Sequence, residues 1–129
     1  MLDIAFEGTV ERGEGLASRL GCPTANISLE QGGLIPGLGV YVGGARVLDH
    51  NYPTIVFISG SRGGQLLKLE VHFIDQNLEL TGKHVRVRLF EKIRDIIDWP
   101  GDQVMADMLT QDVRQARAWF QTHALPIEI

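Results

Sequence analysis

A change of hydrophobic period late in the chain limits the folds open to this sequence. Before the change, apolar and polar residues alternate. In "LLKLEVHFID", Leu67, Leu69, Val71 and Phe73 fall on one side, and Lys68, Glu70, His72 and Ile74 on the other. In "KHVRVRLFEKI", Val85, Val87 and Leu89 oppose His84, Arg86, Arg88 and Phe90. A period of two is that of a strand, whose successive side chains point to opposite faces. "DIAFEGTV" places Ile4, Phe6 and Val10 broadly on one face, while "GVYVGGARVL" and "YPTIVFIS" are rich in β-branched and aromatic residues and read as a hairpin turning at "DHN". After Trp99-Pro100-Gly101 the period becomes helical: Val104, Met105, Met108, Leu109, Ala116, Trp119 and Phe120 recur at helix spacing, with Asp102 as the expected N-cap. About six short strands followed by one amphipathic helix predict a small antiparallel barrel with the helix packed against its side.

Composition narrows the class. With 129 residues, 44% hydrophobic and 22% charged, the chain suits one domain with a core of its own. The net charge of −4 argues against a nucleic-acid footprint. Cys22 is the single cysteine, which rules out an intrachain disulfide and cysteine-only zinc motifs. Asp3 and Glu7 interrupt the N-terminal apolar residues, so no signal peptide is expected, and no apolar run approaches a membrane span. A cytoplasmic, monomeric enzyme or binding module is the expectation, with neither nucleic acid nor membrane as partner.

Phosphate-loop, dinucleotide, zinc-protease and nucleophile-elbow signatures are all absent. Two groups could carry chemistry. In "LGCPTANIS", Thr24 and Asn26 sit two apart, so an extended backbone puts a hydroxyl and an amide oxygen on one side. That donor pair suits a hard cation such as Mg²⁺, and equally suits satisfying backbone groups in a turn. Glu70, on the polar side of its strand with His72, is either a solvated carboxylate or a general base. Arg86, Arg88, Lys92 and Arg94 form a basic stretch that is either a solvated face or an anion contact.

Taken in order, these segments resemble the riboflavin kinase family from about Phe6 to Phe120. The most specific piece is Leu20-Gly21-Cys22-Pro23-Thr24-Ala25-Asn26-Ile27, similar to the family's L-G-F-P-T-A-N-I with cysteine in place of phenylalanine. Gly39-Val40-Tyr41, Leu69-Glu70-Val71-His72, Gly82-Lys83, Arg94-Asp95 and a final helix with Asp112 and Ala116 follow in the family's order. The resemblance implies a six-stranded Greek-key barrel over about residues 3–98, a helix over about 102–122, and a single domain over 1–129. It also implies ATP-dependent phosphorylation of riboflavin at the ribityl 5′-hydroxyl to give FMN. On this reading Thr24 and Asn26 contact Mg²⁺ and the ATP phosphates, and Glu70 acts as base. Gly13, Gly15, Gly21 and Pro23 border the nucleotide, and Arg94 and Trp99 lie on the flavin side. Nothing matches the H-x-G-H motif of an adenylyltransferase, so FAD synthesis is not expected. Two other readings use the same residues: a module that binds a flavin, nucleotide or protein without catalysis, and a kinase for another small hydroxylated substrate.

Overall fold

The computed structural model describes residues 2, 4–11, 20–30, 37–60, 67–125 and 129. Six strands and one helix follow one another: β1 (Ile4–Glu11), β2 (Ala25–Leu29), β3 (Gly39–Val47), β4 (His50–Gly60), β5 (Leu67–Phe73), β6 (His84–Arg94) and α1 (Asp102–Thr122). Every strand pairing is antiparallel. The strands close into a barrel in the order β1-β2-β5-β4-β3-β6, so sequence neighbours and sheet neighbours differ in the Greek-key manner. Closure leaves no open edge for another chain to pair with.

The alternation read in the sequence becomes two apolar clusters. Inward-facing residues, among them Phe6, Val10, Leu69, Val71, Phe73, Val85, Val87 and Leu89, fill the barrel. The opposite faces of β3, β4 and β6 contribute Val40, Val42, Ile55 and Phe90, which meet Ala116, Val113, Trp119 and Phe120 of α1. Phe90 and Trp119 stack with ring centroids 5.2 Å apart. The strands under the helix are therefore apolar on both faces, while the rest alternate. No helix among the described residues is long and apolar enough to cross a membrane.

Two local expectations are corrected. The hairpin does not turn at "DHN": Val47 pairs with His50, leaving Leu48-Asp49 as a two-residue turn with φ of 51° and 65°. Positive φ at both central positions matches the twist of the flanking strands. A leucine there runs against its intrinsic preference, which is why residue type pointed elsewhere. Nor is Asp102 the N-cap. Gly101 holds that position at φ 103°, and its carbonyl accepts the first helical bond from the Met105 N–H at 3.0 Å. A side chain is disfavoured at that φ, so glycine ends the coil and Asp102 becomes an acid of the first turn.

Candidate functional site

The site is built where β2 meets β5. Asn26 lies directly opposite Glu70 in the register, with Ala25 opposite Val71 and Ile27 opposite Leu69. The inward residues anchor the pair, and the outward ones present their polar groups together. Thr24, one residue ahead of β2, donates its hydroxyl to Glu70 Oε2 at 2.9 Å. Lys68, two residues before Glu70 and on the same side of β5, places its ammonium 3.6 Å from Glu70 Oε1. Asn26 Oδ1 is buried and has no hydrogen-bond partner among the described residues. An orphaned buried amide oxygen costs about 1–3 kcal/mol, so it is a position where a bound group would restore a lost interaction.

The segment leading into β2 is held from both ends. Leu20-Gly21 form a turn with Gly21 at φ 84°, in the region that favours glycine. His72 is buried, and its Nδ1 lies 2.7 Å from the Pro23 carbonyl. A carbonyl can only accept, so Nδ1 carries the proton and donates. His72 thus ties Pro23 to β5 one step along from Glu70, and serves as a brace for the segment carrying Thr24. Gly13 and Gly15 lie outside the described residues. Beside Thr24 opens a pocket of about 180 Å³ with mixed walls, apolar from Val71, Phe73 and Leu80 and polar from Glu11, Gln76 and Asn77.

Arg94 and Trp99, the residues expected on the flavin side, lie at the end of β6 and on the coil after it. Trp99 is 48% exposed on the coil between β6 and α1, with Ile97 exposed nearby in sequence. The Arg94 guanidinium is committed to Asp112 of α1: Nε donates to Oδ1 at 2.9 Å and Nη2 to Oδ2 at 2.8 Å. Nη1 donates to the Asp95 carbonyl at 3.2 Å. Asp112 is 1% exposed, so this fork-to-fork pair is buried on the acid's side. Its geometry makes Arg94 the latch between β6 and α1. Asp112, with Lys68 and the brace role of His72, was not picked out by residue type. A usable signal for Asp112 was a carboxylate in the apolar stripe of Leu109, Val113 and Ala116, a position that needs a cation opposite it.

Cys22 lies between the two regions. It is 3% exposed and borders a cleft shared with Leu109 and Val113 of α1. Burial pushes its thiol up to about 12, with the Asp112 and Glu70 carboxylates adding to the effect. A low-polarity site flanked by two anions keeps the thiol protonated.

The barrel-plus-helix thus gathers a hydroxyl, an amide oxygen and a carboxylate on one strand pair. A family model for riboflavin kinase, Flavokinase, matches residues 2–120, and the chain belongs to that family. Curated relatives are bifunctional riboflavin kinase/FMN adenylyltransferases. That of Mycoplasma pneumoniae is 36% identical over 114 residues, covering 88% of this chain and 42% of the relative. That of Escherichia coli K12 is 31% identical over 119 residues, covering 90% and 38%. The chain spans about two-fifths of the length of these relatives. Among solved structures, one described as a macrolide-efflux protein from Streptococcus pneumoniae superposes with a TM-score of 0.83 at 26% identity, over 91% of this chain and 39% of that one. The riboflavin kinase of Trypanosoma brucei superposes with a TM-score of 0.66 at 23% identity, over 94% and 82%, a likeness of fold.

Proposed function

We propose that this chain transfers the γ-phosphate of ATP to the ribityl 5′-hydroxyl of riboflavin, giving FMN and ADP. The observation that carries the reading is the grouping of Thr24, Asn26 and Glu70 across one β2–β5 register step, with Asn26 Oδ1 buried and unpartnered among the described residues. Glu70 is the base: its carboxylate is already within hydrogen-bond distance of one hydroxyl, the reach that removing a ribityl proton requires. The oxygen so activated attacks the γ-phosphorus, and ADP leaves from the opposite side. The enzyme's share of such a reaction is placement and charge compensation.

The donor set fits Mg²⁺. Thr24 directs its hydroxyl proton at Glu70, which leaves its lone pairs available, and Asn26 offers a buried oxygen that no described residue hydrogen-bonds. Thr24 and Asn26 would hold that ion, which supplies neutralisation of the ATP phosphates. The pocket beside Thr24, with Pro23 on its wall, offers Val71, Phe73 and Leu80 to a purine ring and Gln76, Asn77 and Thr81 to its polar edge. Trp99 gives the isoalloxazine ring an exposed aromatic surface.

The test is direct: purified protein with riboflavin, ATP and Mg²⁺, and FMN measured by chromatography. FMN formation abolished by EDTA is the expected result. No FMN above a no-enzyme control would overturn the reading. Binding of riboflavin or ADP–Mg²⁺ without turnover would favour a binding module instead.

A further inference from the structure

We propose that Lys68 is a further catalytic residue, whose ammonium meets the phosphoryl group as it passes from ATP to the acceptor hydroxyl. The inference rests on the kinase reading above and adds to it a residue outside the Thr24, Asn26 and Glu70 group. Its first support is placement. Lys68 and Glu70 are two apart on β5 and share its outer side, and their charged groups lie 3.6 Å apart. Glu70 is flanked by the Thr24 hydroxyl at one oxygen and the Lys68 ammonium at the other. A hydroxyl delivering its proton to Glu70 therefore stands within a few ångströms of that cation, and so does the phosphorus it attacks.

The second support is charge. In phosphoryl transfer the negative charge is spread over the equatorial oxygens of the moving group, and fixed cations lower the barrier. Arg94 cannot supply one here, because its guanidinium is bound to Asp112 and the Asp95 carbonyl. Among the described residues Lys68 forms an ion pair with Glu70, and its side chain remains 38% exposed, able to turn on its four-carbon stem toward an incoming phosphate. A pair of this kind at a surface adds little stability, so removing the ammonium should leave the fold intact.

The group balance is simple. The ribityl oxygen forms a bond to the γ-phosphorus, and the bond from that phosphorus to the β–γ bridging oxygen breaks, releasing ADP. The hydroxyl proton goes to Glu70 and then to solvent. Lys68 keeps its proton throughout.

The experiment compares wild type, Lys68→Met and Lys68→Arg by FMN formation across pH, with thermal melts alongside. For Lys68→Met the expected result is a kcat lower by about tenfold to a hundredfold at the pH plateau, with an unchanged melting temperature. Lys68→Arg, which keeps the charge, should recover a substantial part of that loss. Plateau kcat within twofold of wild type in Lys68→Met overturns the inference. A shift of the acid limb with the plateau intact also overturns it, because that pattern belongs to a lysine acting only through Glu70. A loss tracked by an equal fall in melting temperature overturns it as a structural effect. No FMN from wild type removes the kinase reading and this inference together, whereas FMN from wild type with an indifferent Lys68→Met removes this inference alone.

Discussion

The two halves of the candidate site are held in different ways. Thr24, Asn26 and Glu70 sit on or next to paired strands, in a register fixed by the inward packing of Ile27, Leu69 and Val71. Trp99 sits on coil between β6 and α1, and one buried pair, Arg94 with Asp112, ties that region to the helix. The first half is fixed by many small interactions, none of which is decisive alone. The second adds one strong buried ion pair to the apolar packing of Ile93 and Ile96 against the helix cluster. On the proposed reading, chemistry that tolerates little misplacement would lie on the sheet, and ligand recognition would fall to the coil beside it.

The largest expected effect tests the sheet-borne half. Glu70→Gln keeps the shape and can still accept from Thr24, but it cannot take a proton. FMN formation should fall about 10²–10⁴-fold, the usual scale for a general base, while the thermal melt stays put. A fall of less than tenfold would remove Glu70 from that role and leave the strand pair as a binding surface.

The next effect tests the latch. Asp112→Ala strands Arg94 beside a buried cavity, and breaking such a pair costs about 3–5 kcal/mol, readable in a urea titration. Replacing both partners by apolar residues, Arg94→Met with Asp112→Leu, should recover much of that stability, because no lone charge remains. If the double variant also regains FMN formation, Arg94 serves the flavin side only by holding α1. If it is stable but its riboflavin KM stays high, the guanidinium itself is needed there.

The same contrast explains what could be read from the sequence. The barrel was legible because alternation is local: Leu69, Val71 and Phe73 declare their side whatever their partners are. The helix was legible for the same reason. Strand pairing was not, since nothing in "PTANI" or "KLEVH" states that Asn26 will face Glu70; only the order of segments across the family suggested it. The turn at Leu48-Asp49 and the cap at Gly101 were misread because backbone φ overrode residue preference. Asp112 was visible only through the family's order, and its pairing with Arg94 was not legible, because a carboxylate on a helix is ordinarily solvated and only the tertiary fold brings Arg94 to it.

Cys22 tests the seam between the halves, and its effect is the smallest near neutral pH. Its thiol is pushed from 9.0 to about 12, first by burial and then by Asp112 and Glu70, one carboxylate from each half. Between those values the folded protein keeps a proton that the unfolded chain has released, so stability falls as pH rises through the window. The loss from this group is negligible at pH 7 and reaches about 1.4 kcal/mol near pH 10. Urea titrations of wild type and Cys22→Ala should therefore run parallel at pH 7 and diverge above pH 9, with wild type losing more. In Asp112→Asn one of the two flanking anions is gone, so the divergence should shrink. If it does not, burial alone holds the thiol, and the two halves of the site do not meet electrostatically at Cys22.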